Sequence, residues 1–297
     1  FQRCPRHGEG QLMSAQILDG KLLASQLKAR LSEEIRDLSN RVQEAPRVFS
    51  IVVGNDPASL SYAASQQKTA QSVGIQYELR HFNSDSTSQE DVLNLISELN
   101  SYDHVHGIIV NKPLPSHMNF KTIINAITPY KDIEGMNLMN FGRLLMGEEG
   151  IFPCTPAAAL ELLKSSGVAL KGKHAIVIGR SEIVGKPVAM LLLREDMTVT
   201  ICHSKTVDLP FVVHDADVVI AALGRPNFVK GDWIRMGAIV IDIGINHVEG
   251  KLVGDVDFAS ASAKASHITP VPGGVGPVTA VMLMNNAVKA FKILNQI

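Results

Sequence analysis

Short runs of β-branched residues alternate with longer helical segments along nearly the whole chain, and the alternation restarts once, near residue 155. Parallel strands need a crossover of a dozen or more residues between them, normally a helix, so this rhythm restricts the chain to βαβ units and parallel sheets. In the first half, strands are expected at Val48–Gly54, Gln76–Phe82 and His106–Val110, with helices at Ser59–Val73, Gln89–Asn100 and Phe120–Ile127. Pro113 and Pro115 close the third strand, because proline cannot continue a central strand. A polar loop follows at Lys131–Asn137. In the second half, Thr155 is placed to cap a helix whose first residue is Pro156 and which runs to Gly167. Strands follow at His174–Ile178, Thr198–Cys202, Asp217–Leu223 and Ala238–Ile243, with a helix at Ile183–Arg194. Their continuous apolar runs suit strands covered on both faces. The last helix is expected to begin near Pro277 or Thr279. Its apolar face (Val281, Leu283, Met284, Ala287, Val288, Phe291) requires a partner, so it should cross back to the first half.

The expected fold is therefore α/β, with two domains that each hold a mostly parallel sheet flanked by helices, the second of them Rossmann-like. A length of 297 residues suits two domains. Residues 13–154 with the helix 279–297 are read as one domain and 155–278 as the other. Residues 1–12 contain Arg3, Arg6 and His7 but no apolar stretch of a secretory signal; with Met13 as a natural start, they read as a disordered segment, a tag or a transit remnant.

Composition removes several function classes. Net charge is −1, whereas a nucleic-acid binder normally carries a basic patch or stripe. No apolar run reaches the roughly 18 residues of a membrane span. Cys4, Cys154 and Cys202 are widely separated and odd in number, which fits neither a disulfide framework nor a zinc site. Scattered histidines give no ligand spacing, so no metal is expected. A reducing compartment follows: the cytoplasm, or the mitochondrial matrix if residues 1–12 are a transit remnant.

Three stretches carry candidate chemistry. The loop Gly179-Arg-Ser-Glu-Ile-Val-Gly185 follows an expected strand and opens an expected helix, a setting in which unpaired N–H groups and the helix dipole favour a phosphate. It is not GxGxxG, since Ser181 replaces the middle glycine, and a bare strand-to-helix turn is commonly plain structure. Cys202-His203-Ser204-Lys205-Thr206 ends the next strand, where a dinucleotide-binding sheet holds the adenosine ribose, and no acidic residue closes that strand. Arg180, Ser204 and Lys205 suit a 2′-phosphate; on the residues alone a solvated polar loop explains them equally well. The run Ile268-Thr-Pro-Val-Pro272-Gly273-Gly274-Val-Gly-Pro277-Val-Thr279 combines backbone freedom with stiffness, which lets main chain approach a planar ligand.

The ordered motifs GNDPAS with Tyr62 and Gln66, VNKPLP, KDIEG, PCTP, GRSEIVGKP, HSKT, GDWI, GAIVIDIGIN, VGDVDF and TPVPGGVGPVT resemble the methylenetetrahydrofolate dehydrogenase/cyclohydrolase family from Ala15 to the last helix. That resemblance implies a folate-side domain, a C-terminal Rossmann domain, a cleft between them and a homodimer formed through the Rossmann domains. It implies substrate contacts from Ser59, Tyr62, Pro113, Glu134, Pro272, Gly273 and Gly274. Nucleotide contacts are implied for Thr155, Gly179, Arg180, Ser181, Ile183, Gly185, His203, Ser204, Gly224, Ile245 and Thr279. NADP is the expected cofactor, with NAD as the alternative. Trp233 in GDWI reads as packing, and Cys154 and Cys202 as small buried hydrophobes.

The chain departs from the family pattern at three positions. Gln66, Asn111 and Glu134 stand where YxxxK, VQLPLP and KDVDG have lysine, glutamine and aspartate. With Tyr62 they form the expected catalytic set. Oxidising 5,10-methylenetetrahydrofolate moves a hydride and needs orientation and electrostatics, whereas hydrolysing the methenyl product needs a group that exchanges protons near neutral pH. The amide of Gln66 cannot do so. Lys68 lies ~200° further round the helix, and Lys112 should point to the opposite side from Asn111. The expectation is thus a dehydrogenase whose cyclohydrolase step is lost or impaired. Its rivals are the full bifunctional enzyme and, from another class, a non-catalytic dimerising subunit that holds nucleotide.

Overall fold

The computed structural model describes residues 15–297, so the expectations for residues 1–12 and Met13 lie outside the described residues. The first sheet has three parallel strands in the order β3-β2-β4: β2 (Arg47–Val53), β3 (Gln76–Phe82) and β4 (Gly107–Val110). Around it lie α1 (Gly20–Val42), α2 (Pro57–Val73), α3 (Gln89–Ser101) and α4 (Phe120–Ala126), followed by α5 (Leu138–Met146). The second sheet has six parallel strands in the order β1-β11-β8-β7-β5-β6. These are β1 (Gln16–Ile17), β5 (His174–Ile178), β6 (Thr198–Cys202), β7 (Val218–Ala221), β8 (Ile239–Asp242) and β11 (His267–Ile268). Its helices are α6 (Cys154–Ser165), α7 (Gly185–Arg194), α8 (Leu209–His214) and α9 (Phe258–Ser262), and β9 (Asn246–Val248) with β10 (Lys251–Val253) forms an antiparallel hairpin beside it. The α/β fold with two mostly parallel sheets, the second Rossmann-like, is as expected.

Capping moves several helix starts. Asp56 accepts a hydrogen bond from the Ser59 amide at 2.8 Å and Pro57 occupies the first turn, so α2 begins two residues before Ser59. Asp19 caps α1 through the amides of Lys21 and Leu22, and Leu31, Ile35 and Leu38 form its buried stripe; the sequence reading had no helix there. Thr155 does not cap α6: the cap residue is Pro153 without a side-chain bond, because the chain turns one step earlier and leaves Thr155 inside the first turn. The helix α10 (Val275–Leu294) starts before Pro277, taking in residues read as loop.

The expected first domain begins at residue 13, yet Gln16 and Ile17 pair with His267 and Ile268 and extend the six-stranded sheet. A two-residue strand is too short to show period-two alternation, but it covers a sheet edge. The helix α10 crosses back as its apolar face requires. It packs between α6 and α1 and reaches α2 and β4, where the fully buried Phe291 ring meets His106 edge-on at 4.7 Å. One continuous core runs from Leu31 and Val48 through Leu162 and Val177 to Phe291, joining the two sheets. Among the described residues no helix is long and apolar enough to cross a membrane, and no cluster of three or more His, Cys, Asp or Glu is placed to hold a metal.

Candidate active site

Parallel strands aligned in register end together, so their carboxyl-terminal loops share one edge. In the first sheet that edge brings β2, β4 and α2 together around a linked set of polar side chains. Gln66 is 2% exposed and its Oε1 accepts from the Tyr77 hydroxyl at 2.9 Å. Ser50, fully buried on β2, lies by the same hydroxyl and accepts from Asn111 Nδ2 at 2.7 Å. Asn111 Nδ2 also donates to the Ile51 carbonyl at 3.1 Å. Gln66 and Asn111 are therefore joined through Tyr77 and Ser50, two residues the sequence reading did not single out. Nothing in a one-dimensional pattern places β3 beside α2 closely enough to reveal that bond.

The network leaves Gln66 Nε2 and Asn111 Oδ1 buried without a partner. Buried polar atoms are normally hydrogen-bonded, so two orphans in one network mark a place where an outside group completes it. Tyr62, one turn before Gln66, is nearly half exposed at 47%. Its hydroxyl is pushed up to about 12, chiefly by burial, then by Glu134 and Cys154. Ser59 Oγ donates to the Lys112 carbonyl at 2.6 Å, holding the turn that leads into Pro113 against the start of α2.

Glu134 sits in the loop that runs beside β4. Burial pushes its carboxyl up to about 8 and Asp132 adds to the rise, while Lys112 and the Val110 amide oppose it. Asp132 is fully buried, accepts from the Asn137 amide at 2.6 Å, and is raised to about 6 by burial. The loop is tied down from α10: Asn286 Nδ2 donates to the carbonyls of Ile133 at 2.8 Å and Phe152 at 2.9 Å and contacts Cys154 Sγ at 3.5 Å. Cys154 is thus more than a small hydrophobe; it lies between the Glu134 loop and α10, with its thiol held high by burial and by Glu134. Lys68 is exposed, as helix geometry requires. Lys112 Nζ lies 3.6 Å from the centroid of the Phe120 ring, away from the Gln66–Asn111 network, yet near enough for its charge to act on Glu134.

In the second sheet, β5 and β6 end side by side, with the Gly179 amide donating to the Cys202 carbonyl at 2.9 Å. This brings Gly179, Arg180, Ser181 and Ile183 next to His203 and Ser204. The α7 helix opens at Gly185 rather than Ile183, because Ser181 Oγ accepts from the amides of Val184 at 3.1 Å and Gly185 at 3.2 Å. Those amides are satisfied; among the described residues the exposed amides of Ser181, Glu182 and Ile183 donate to no protein acceptor. A Cβ on Gly185 would collide with the Gly179 carbonyl, so strand end and helix start touch backbone to backbone. Free amides at a strand-to-helix turn of this shape suit an anion, and they lie inside the Gly179–Gly185 loop singled out in the sequence. Thr206 Oγ1 accepts from the His203 amide at 2.9 Å and His203 Nδ1 from the Lys205 amide at 3.1 Å, which shapes the loop and leaves Ser204 and Lys205 exposed.

Two buried aspartates, not anticipated, build the rest of this edge. Asp255 accepts from the amides of Leu223, Gly224 and Arg225, and Asp242 from those of Gly244, Asp255 and Val256. Ile245 is left 61% exposed beyond β8, and with Lys21 and Pro272–Gly274 it lines a cavity of about 260 Å³. Gly273 has φ +105°, a left-handed conformation that glycine alone takes without strain. Thr155 is half-buried in the first turn of α6, and Thr279 donates its hydroxyl to the Val275 carbonyl within α10 at 3.1 Å. Trp233 packs edge-on against Phe228 at 5.5 Å.

The family model for the tetrahydrofolate dehydrogenase/cyclohydrolase catalytic domain matches residues 18–134, and that for the NAD(P)-binding domain of the same family matches residues 153–295. The chain is similar to the bifunctional protein FolD of Bacillus pumilus, with 48% identity over 281 residues, covering 94% of this chain and 99% of that protein. Among solved structures, the bifunctional FolD methylenetetrahydrofolate dehydrogenase/cyclohydrolase of Campylobacter jejuni is 43% identical at a TM-score of 0.91, covering 96% of this chain and 100% of that one. The Trypanosoma brucei methylenetetrahydrofolate dehydrogenase-cyclohydrolase, solved with NADP and an inhibitor, is 37% identical at a TM-score of 0.89, with coverage of 96% and 100%.

Proposed function

This chain belongs to the tetrahydrofolate dehydrogenase/cyclohydrolase family and is an NAD(P)-dependent dehydrogenase, and we propose that it oxidises 5,10-methylenetetrahydrofolate with NADP while its cyclohydrolase step is lost or strongly impaired. The observation that carries the second half is Gln66. It is buried, hydrogen-bonded to Tyr77, and has no proton to exchange near neutral pH at the place where the family pattern has a lysine. In the proposed arrangement the orphaned Gln66 Nε2 and Asn111 Oδ1 are completed by the pterin. Glu134, when ionised, accepts from the pterin's amino group and ring N–H, Tyr62 lies along the substrate, and Ser59 and Pro113 hold the adjoining turn.

The nucleotide, when bound, supplies the hydride acceptor. Its pyrophosphate is assigned to the free amides of Ser181–Ile183 between Gly179 and Gly185, and its ribose end to His203, Ser204 and Arg180. Gly224, Ile245, Thr155 and Thr279 face its nicotinamide side, with Pro272–Gly274 beside the substrate. NADP is preferred over NAD because Arg180 and Lys205 reward a 2′-phosphate with charge-assisted bonds and no carboxylate ends β6.

A second reading has one observation behind it. Glu134, at about 8, is a carboxyl that titrates close to neutrality inside the same network, so it offers a proton carrier for full bifunctionality in place of the absent lysine. The two readings part in a single incubation with methylenetetrahydrofolate and NADP, in which reduced nucleotide and methenyl product are followed separately by absorbance. Growth of both signals together fits the monofunctional enzyme. Reduced nucleotide without methenyl accumulation contradicts it.

A second copy of this chain is the proposed partner, docked through the six-stranded sheet. Its support is β6, which among the described residues ends the sheet with an unpaired edge and leaves Ile201 36% exposed. Light scattering at micromolar concentration should give twice the monomer mass; the monomer mass would refute it.

A further inference from the structure

A cavity of about 400 Å³ lies between α4, α5 and α7, and neither Tyr62, Gln66, Asn111, Glu134 nor the Pro272–Gly274 turn lines it. Its walls are largely apolar, with Phe120, Phe141 and Met190 among the lining side chains. At the mouth α5 holds Leu138 and Leu145 each 69% exposed, an apolar rim that water solvates poorly. The charges on this cavity are unbalanced. Lys112, Lys121 and Lys186 line it with a single carboxylate, Glu182, and that one pairs with Lys121 at 3.0 Å. Among the described residues neither Lys112 nor Lys186 has a carboxylate within ion-pair distance, and Lys112 instead stands over the Phe120 ring at 3.6 Å. Burial also holds the Lys112 ammonium below its ordinary range.

An apolar hollow with two ammonium groups on its wall that touch no carboxylate is complementary to a particular ligand chemistry. A bare anion gains the lysines but wastes the aromatic walls; a neutral hydrocarbon gains the walls but leaves Lys112 without an anionic partner. We propose that this cavity is a binding site, separate from the reaction site, for a small amphipathic anion: a planar aromatic body carrying one carboxylate or sulfonate, with Lys112 as its charge anchor. Pockets of roughly 300–1,000 Å³ hold ligands of drug size, so a bicyclic aromatic acid fits. The anion meets the free side of the Lys112 ammonium, whose other side stays on Phe120, while the ring system lies against Phe141. Such a ligand touches Glu182 and Ile183 of the glycine loop on one wall and Lys112 and Met136, which flank Asn111 and Glu134 in sequence, on the other. It therefore bridges the two sheets' loops, sharing Ile183 with the nucleotide loop but leaving Tyr62, Gln66, Asn111, Glu134 and Pro272–Gly274 unoccupied.

Calorimetric titration of the full chain with 2-naphthoate and, separately, with neutral 2-naphthylmethanol tests this without any turnover. The acid should saturate one site per chain, at least about ten-fold tighter than the alcohol, and keep its affinity for that site in saturating NADP. Lys112→Met should bring the acid down to the alcohol's affinity, and Leu145→Trp at the exposed rim should weaken both; thermal melts report whether each variant is folded. Equal affinity for acid and alcohol, displacement of the acid by NADP, or unchanged binding in folded Lys112→Met and Leu145→Trp proteins would overturn the assignment.

Discussion

The two loop edges of this molecule are built on opposite principles. Around the second sheet the polar side chains satisfy one another and the backbone: Asp242 and Asp255 gather six amides, and Ser181 and Thr206 shape their own loops. Around the first sheet the polar groups are left wanting. All six buried side-chain atoms without a partner among the described residues (on Ser39, Gln66, Asn111, Asp132, Asn140 and Arg143) precede residue 150, and Glu134 stands there with its carboxyl near 8. A ligand held mainly by backbone donors needs a rigid frame with spare amides. A ligand read by side chains needs those side chains unpaired until it arrives, and the cost is carried by the surrounding packing. Two of those unpaired groups, on Gln66 and Asn111, belong to the positions on which the proposed loss of hydrolysis rests.

The sharpest way to break that contrast is to restore the side chain that is missing. Gln66→Lys places an ammonium beside the Tyr77 and Tyr62 hydroxyls, and methenyl hydrolysis should rise by about 10²–10⁴-fold over the parent, the range for a general acid–base group. Adding Asn111→Gln should raise it further while dehydrogenase turnover changes little; an inert double variant that still binds folate would place the defect elsewhere. Next in size, Glu134→Ala removes a charge-assisted partner of the pterin. It should lower dehydrogenase kcat/KM by about 10- to 100-fold, with NADP affinity unchanged, as a hydrogen bond to a charged group is worth roughly 1.5–3 kcal/mol. A fall in NADP affinity instead would mean that the two edges are not independent. On the other edge, Arg180→Glu should cut the NADP-over-NAD ratio of kcat/KM by about ten-fold, measured at low salt, by setting a carboxylate against the 2′-phosphate.

The smallest effect is on stability. Glu134 binds its proton more tightly folded than unfolded, so its contribution is fully present below its unfolded value near 4.5 and is lost as pH rises through about 8. Between pH 6.5 and 8 the raised carboxyls of Asp132 and Asp242, at about 6, have largely finished titrating, and the contribution of His106, neutral there in the folded protein, is common to parent and variant. The parent Tm should therefore fall across that window by more than the Tm of Glu134→Gln does. Parallel slopes would remove Glu134 as the group that titrates there.

Much of the fold was legible because its strands are short, apolar and bounded by turns: the limits of β3, β5 and β6 are those expected from pattern alone. What escaped depends on partners distant in sequence. The stripe of Leu31, Ile35 and Leu38 on α1 was diluted by Lys, Arg and Glu, and only contact with α10 shows why that helix is stable. The strand β1 is two residues long and exists because β11 lies beside it. Two helix starts shifted where a hydroxyl or carboxylate took an amide, Ser181 before α7 and Asp56 before α2. In the candidate site, the residue types at Gln66, Asn111 and Glu134 could be weighed from the chain alone. Their linkage through Tyr77 and Ser50, and the tether from Asn286, arise only when α2, β2, β3 and α10 are packed together.

The account stands or falls on whether the unaltered protein exchanges protons with the methenyl carbon's water. The most direct measurement supplies 5,10-methenyltetrahydrofolate alone, without nucleotide, and compares its rate of disappearance with and without micromolar protein across pH 6.5–8.5. Decay at the buffer rate at every pH is the predicted result. Acceleration of about 10²-fold or more, rising through pH 8 and abolished by Glu134→Gln, would contradict it and assign the proton transfer to Glu134.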